Sequence, residues 1–178
     1  MNIIILGPPG SGKTTQAQLL AKTLSLPHLS TGDLFRQISK EPSPLGKKIK
    51  KILEKGELVS DREAILLISQ ELKKKKYRKG VVLDGCPRTL KQARILKLPL
   101  EKVFYLKVSD GEGVKRLLLR KRKGESKEVI KKRLAVYHQE TEPILDFYRK
   151  EGLLVEIDGE QTIEKIHQDI LLALDKSG

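Results

Sequence analysis

Tryptophan is absent from this chain, aromatic residues make up 4% of it, and it has one cysteine, Cys86. So few aromatics leave little surface on which single-stranded nucleic acid could stack, and no nucleic-acid partner is expected. A lone thiol excludes an internal disulfide and a cysteine-built metal cage, so no structural zinc is expected. No apolar run approaches the ~18 residues that span a bilayer, so no membrane partner is expected either. Only five apolar residues precede Gly7, without a basic lead-in, which does not read as a signal peptide. The expected compartment is the cytoplasm, and a monomer is the default.

What the chain has in excess is positive charge. Its 36 Lys and Arg against 23 Asp and Glu give a net charge of +13, concentrated in runs at 47–51, 73–76 and 120–123. Such a surplus speeds the arrival of polyanions. Two other readings are a solvated lysine-rich surface, as in heat-adapted proteins, and nucleic-acid binding. With 178 residues and 38% hydrophobic residues, the chain suits one globular domain with a real core.

Continuous apolar runs at 2–6, 27–30, 81–84, 103–108 and 153–157 read as buried parallel strands. Helical stretches fall at roughly 12–24, 31–40, 44–55, 61–76, 89–97, 110–122, 127–149 and 162–175, and Ser60-Asp-Arg-Glu63 reads as a capping box opening one of them. The alternation predicts an α/β fold, a doubly wound five-stranded parallel sheet with helices on both faces and ligands at the strands' carboxyl ends, and the glycine pattern Gly7-x-x-x-x-Gly12-Lys13-Thr14 behind the first strand makes it of P-loop type. Residues 30–59 offer two helices and no strand beyond their first residue, an excursion from a core formed by 1–29, 60–120 and 127–178.

Behind the first strand stands GPPGSGKTTQ, residues 7–16. Gly7-x-x-x-x-Gly12-Lys13-Thr14 fits the phosphate-binding loop, with a strand before it and an amphipathic helix after it. Glycines let successive N–H groups converge on one anion, and the helix N-terminus adds its dipole. Lys13 supplies a charge for the outer phosphates, and Thr14 a hydroxyl for Mg²⁺. The bland alternative is a glycine-rich turn that only caps a helix. The loop implies a nucleoside triphosphate but not what becomes of it.

The deciding segments lie downstream: LSTGDLFR (29–36), GELVSD (56–61), DGCPRT (84–89) with Gln92, RLLLRKR (116–122) and KKRLAVYHQETEPI (131–144). In this order and spacing the chain resembles an adenylate kinase, from residue 1 to about 159. The resemblance implies the reaction MgATP + AMP ⇌ 2 ADP, a mobile monophosphate-binding segment at 30–59 and usually a lid. Phosphoryl transfer between nucleotides needs positioning and charge neutralisation more than a catalytic base. Lys13, Arg36, Arg88, Arg120, Arg122 and Arg133 supply a fitting set of cations.

By the same resemblance, Gly10, Ser11, Gly12, Lys13, Thr14 and Thr15 would cradle ATP phosphates, and Arg116 and Arg120 would lie against the ATP adenine and phosphates. Gln161 would approach the ATP base through its backbone. Thr31, Arg36, the stretch Glu57, Leu58 and Val59, then Gly85, Cys86, Pro87, Arg88 and Gln92 would hold AMP, with Gln92 reading the adenine edge by two hydrogen bonds. Arg122 and Arg133 would clamp phosphates between the nucleotides. Asp84, with Thr14 or Thr15, would hold Mg²⁺ largely through water. Local structural roles compete: Thr31 could cap the helix from Gly32, Thr89-x-x-Gln92 also satisfies a capping box, and Asp84 could cap a strand end. His28, His138 and His167 lack metal spacing and read as structural or surface residues.

The chain departs from that family in three places. Thr14 stands where the family usually has Gly. Cys86 replaces a Phe in the AMP pocket, which leaves less to pack the base and would confer thiol-reagent sensitivity if accessible. Only twelve residues, KRKGESKEVIKK, separate Arg120 from Arg133, so 121–126 is a vestigial lid. A missing lid predicts closure chiefly by 30–59, a weaker hold on ATP and more futile hydrolysis than in a lidded relative. Competing functions are a UMP or CMP kinase, disfavoured by Thr31 and Gln92, a basic P-loop ATPase in RNA or ribosome maturation, and a non-catalytic nucleotide sensor.

Overall fold

The structure, a computed structural model, describes residues 1–120 and 126–175. Its five strands are β1 (Asn2–Leu6), β2 (His28–Ser30), β3 (Val81–Asp84), β4 (Lys102–Lys107) and β5 (Leu154–Asp158). They form one sheet in the order β2-β3-β1-β4-β5, with every neighbouring pair parallel. The chain winds to one side of β1 first and to the other afterwards, so the winding reverses at β1. Crevices for ligands open at such a reversal, beyond the strands' carboxyl ends.

Apart from polar residues at their ends, the inner strands are apolar because both of their faces are covered. Alternate side chains of β1 point to opposite faces. Ile3 and Ile5 pack with Val82, Phe104 and Leu106 beneath α1 (Lys13–Thr23) and α9 (Ile163–Asp175). Ile4 and Leu6 pack with Leu83, Val103 and Tyr105 on the other face. That face is covered by α2 (Thr31–Ile38), α3 (Pro44–Glu54), α4 (Asp61–Leu72), α5 (Leu90–Ile95) and α8 (Ile144–Lys150). Truncating a fully buried residue such as Ile4 to alanine costs about 2–5 kcal/mol in settings of this kind. The last two helices, α6 (Asp110–Arg120) and α7 (Lys127–Val136), flank the undescribed stretch 121–125. Among the described residues no helix is long and apolar enough to cross a membrane.

Two expectations about helices are corrected. The stretch 61–76 ends as an α-helix at Leu72 and continues as a 3₁₀ turn at Lys75–Tyr77. The stretch 127–149 is not one helix: α7 passes into a π turn at Tyr137–Thr141 before α8 starts behind Pro143. A proline ring clashes with the carbonyl four residues back. The chain avoids this by widening one turn, in which Glu142 N donates to Tyr137 O at 2.9 Å. The capping box is also corrected. Ser60 precedes α4 but its hydroxyl makes no cap bond. Glu63 instead pairs with Lys48 on α3, and Asp61 turns toward α5.

Candidate active site

β1 delivers the chain into the glycine loop at the point where the winding reverses. Gly10 and Gly12 both sit at φ 83°, the left-handed region that side chains disfavour. Gly10 has a second constraint: a Cβ there would lie 2.2 Å from the Gly113 carbonyl oxygen on α6, so loop and helix touch backbone to backbone. α1 starts at Lys13 with no side-chain cap and no acidic residue in its first turn. Its first N–H groups and its dipole are therefore open to an anion.

Lys13 Nζ donates to the Pro8 carbonyl at 3.2 Å, folding back over the loop. Burial, and then the Arg88 guanidinium, push its pKa down to about 7; Asp84 opposes this, while Arg133 and Arg120 add to it. Arg88 is drawn below the usual arginine range by burial and then by Arg133. Lys13, Arg88 and Arg133 thus crowd one another, and an incoming polyphosphate would relieve that repulsion.

Asp84 closes β3 with a buried carboxylate. Thr14 Oγ1 donates to its Oδ1 at 3.2 Å, Ser30 Oγ does so at 3.4 Å, and His28 Nε2 meets its Oδ2 at 2.6 Å. His28, read from sequence as a structural or surface residue, is therefore a direct partner of a candidate site carboxylate. No periodic or motif signal marks it; only the pairing of β2 with β3 brings the two together. Thr15 is exposed, whereas Thr14 faces the carboxylate. Among the described residues there is no cluster of three or more His, Cys, Asp or Glu groups that could hold a metal. One hydroxyl beside one carboxylate nevertheless suits Mg²⁺, which keeps most of its waters and takes its other oxygens from substrate phosphates.

Beyond the loop, a cavity of about 530 Å³ opens between α2, α3, α4 and α7. It gathers Lys13, Arg36, Glu57, Leu58, Val59, Gly85, Cys86, Pro87, Arg88, Gln92 and Arg133 on its walls, residues that the sequence draws from five separate stretches. Arg88 Nε donates to Gly85 O at 2.7 Å, and Thr141 Oγ1 in the π turn donates to Arg88 O at 2.8 Å. Thr141 and Tyr137 also line the cavity and were missed by the sequence reading, because the helix period gave no reason to turn them inward. Arg36 lies over Gly32 and pairs with Asp33. Across the mouth, Lys132 on α7 reaches Glu57, and Gly56 packs close to Val129 and Arg133.

Three readings of these residues change. Thr31 does not cap α2: Ser30 does, accepting from Asp33 N, while the fully buried Thr31 hydroxyl faces Gly85 without a hydrogen-bond partner. Thr31 is also not on the cavity wall. Thr89 caps α5, accepting from Gln92 N at 3.1 Å, but the Gln92 side chain reaches Arg88 N, not Thr89 N, so the capping box is only half formed. Cys86 lines the cavity from within the core with 1% of its surface exposed, and burial pushes its thiol up to about 12. A buried thiol of that pKa is inert, so the expected thiol sensitivity is not supported.

Arg116, Arg120 and Gln161, expected at the other nucleotide, stand outside this cavity. Arg116 on α6 donates to Glu112 at 2.8 Å and to Gly159 O at 3.0 Å. Gln161 Nε2 bonds Asp158 O and Asp169. Arg120 ends α6 with its side chain exposed, yet near enough to Lys13 to affect its pKa. Arg122 lies outside the described residues, as does all of the vestigial lid except Ser126, which caps α7 by accepting from Val129 N at 3.3 Å. His138 is no isolated surface residue: its ring bridges Glu142 and Asp110, which raise its pKa, and so ties the π turn to the start of α6.

A family model described as adenylate kinase matches residues 5–153 of the chain. The chain belongs to the adenylate kinase family. It is similar to adenylate kinase 1 of Nostoc sp., at 41% identity over 97% of each chain, and to an adenylate kinase of Corynebacterium urealyticum, at 39% identity over 99% of this chain and 100% of the other. An adenylate kinase of Methanocella arvoryzae is 36% identical over 99% of both chains. That alignment runs over 214 positions where this chain has 178 residues, so that relative carries segments absent here. The alignment with the Nostoc relative runs over 179 positions, without such an excess.

Proposed function

We propose that this chain catalyses MgATP + AMP ⇌ 2 ADP by in-line transfer between two nucleotides bound tail to tail. The observation that carries the reading is that Lys13, Arg88 and Arg133 converge on one cavity where the glycine loop meets it. Fixed cations of this kind neutralise the charge on a phosphoryl group in flight. In this reading the loop holds ATP phosphates on the N–H groups of residues 10–15, while Arg36 leaves Asp33 to grip the AMP phosphate. Arg88 and Arg133 span the junction, with Arg120 and Arg122 joining from the lid stub. The attacking phosphate oxygen is already ionised, so no side chain needs to remove a proton. Arg116 and Gln161 frame the ATP base, and Gln92 reads the AMP base.

Mg²⁺ bound with ATP would supply neutralisation of the phosphate charge. Thr14 and Asp84 would hold it, Asp84 through water; the contacts of Thr14, His28 and Ser30 with the carboxylate, which fix its direction, support this assignment. Residues 30–59 act as the mobile monophosphate-binding segment. The enzyme is taken to be a cytoplasmic monomer that acts on free nucleotides and not on nucleic acid.

The test is to incubate the protein with MgATP and, separately, AMP, UMP, CMP and GMP, and to quantify the diphosphates formed. ADP from AMP, with the reverse reaction from ADP alone, supports the reading. Turnover with UMP or CMP and silence with AMP overturns it.

A further inference from the structure

Behind the cavity wall, Gln92 is held at both ends of its side-chain amide. Its Oε1 accepts the backbone N–H of Arg88 at 2.8 Å, and its Nε2 donates to Asp61 Oδ1 at 3.1 Å. The same Asp61 oxygen accepts the Thr89 hydroxyl at 2.6 Å. A backbone N–H can only donate and a carboxylate can only accept, so these two neighbours allow one orientation of the amide. Rotating it by half a turn would set an oxygen against a carboxylate and an NH₂ against an N–H. Gln92 is almost wholly buried, so either mismatch would be costly. Each end of the amide keeps one further valence, one acceptor site on Oε1 and one hydrogen on Nε2, and Gln92 lines the cavity.

We infer that Asp61, which does not itself line the cavity, is the positioning residue that fixes which purine monophosphate the acceptor site takes. This rests on the reading in which Gln92 meets the base. An adenine edge offers a donor at N6 and an acceptor at N1, which match Oε1 and Nε2–H in the locked orientation. Hypoxanthine and guanine offer the reverse, an acceptor at O6 and a donor at N1. They could be served only by the flipped amide, which Asp61 and Arg88 N–H forbid. The selectivity thus resides in an anion behind the reading residue, and a site that leaves paired groups unsatisfied rejects strongly.

The experiment compares AMP with IMP, which differ only at position 6 and the N1 proton, as acceptors for wild type, Gln92→Ala, Asp61→Asn and Asp61→Ala. The isosteric Asp61→Asn can accept from or donate to Gln92, so it removes one of the two locks and leaves only the Arg88 N–H opposing the flipped amide. It should lower kcat/KM for AMP and raise it for IMP, narrowing the preference at least tenfold, chiefly through the acceptor KM. The KM for ATP should stay within twofold. Asp61→Ala, which removes the anion altogether, should narrow the preference similarly. Equal losses for AMP and IMP in both Asp61 variants would mark a merely structural residue and overturn the inference. If Gln92→Ala keeps the wild-type preference, Gln92 does not read the base, and the underlying reading of the site fails instead.

Discussion

Glu57 and Lys132 meet at 3.0 Å across the mouth of the acceptor cavity, joining the loop after α3 to the solvent side of α7. Lys132 holds the Glu57 carboxyl below the usual carboxylate range. Both partners are about half exposed, so the link is a latch that salt can loosen. Lys132→Ala should raise the KM for AMP two- to fivefold at low ionic strength, and the difference from wild type should vanish at high salt. Steady-state kinetics at two salt concentrations check this; a salt-independent effect would contradict the latch.

Lys13 carries a pH signature. Its pKa is about 7 in the free protein because burial and Arg88 disfavour the charge. A bound polyphosphate favours the charge and raises that pKa. Below pH 7 the lysine is protonated with or without nucleotide, and affinity is at its plateau. Above it, binding must take up a proton, so ATP affinity falls by up to tenfold per pH unit until the pKa of the bound form is reached. Calorimetry at pH 8 in buffers of different ionisation enthalpy should show uptake approaching one proton. Lys13→Arg, always charged, should bind without that uptake.

Arg88 should show function and stability pulling apart. It is a half-buried cation beside two others, donating through Nε to the Gly85 carbonyl. Arg88→Met should lower kcat by about 10²–10³, the loss typical for one preorganised charge donor. Its Tm should match or exceed that of the wild type, since the substitution removes repulsion from Lys13 and Arg133. Kinetics and a thermal melt of the same sample check both parts, and a large fall in Tm would show Arg88 to be structural.

For Cys86 the expectation is silence. A thiol-disulfide reagent should leave the native protein almost unlabelled at pH 8 and react fully once denaturant exposes the chain. Rapid native labelling would mean that the core around Cys86 opens far more readily than its burial implies.

The sheet and the glycine loop were legible because local rules and the fold agree there. Asn2–Leu6 and Val81–Asp84 are apolar runs that the fold buries on both faces, and the glycine spacing is itself the geometry of the loop. What escaped depends on contacts between distant residues. The His28 ring meets Asp84 because two strands 50 residues apart lie side by side, and Asp61 meets Gln92 through the packing of α4 on α5. Ser60-Asp-Arg-Glu63 shows how a local signal loses: Lys48 and Thr89 outbid the backbone for the two carboxylates. The π turn was hidden because Pro143 was read as part of a continuous helix, although its effect falls on the turn before it.

The contact between Gly10 and Gly113 decides which side of the molecule can travel. With no side chain between them to shear, the triphosphate cradle and the α6 shaft behind it make one rigid anvil. In the proposed reaction, the stroke that brings two nucleotides together is then expected from the opposite jaw, the stretch carrying Arg36 and Glu57. An alanine placed at Gly113 should jam the machine by prising that anvil apart, without altering a residue assigned to either nucleotide.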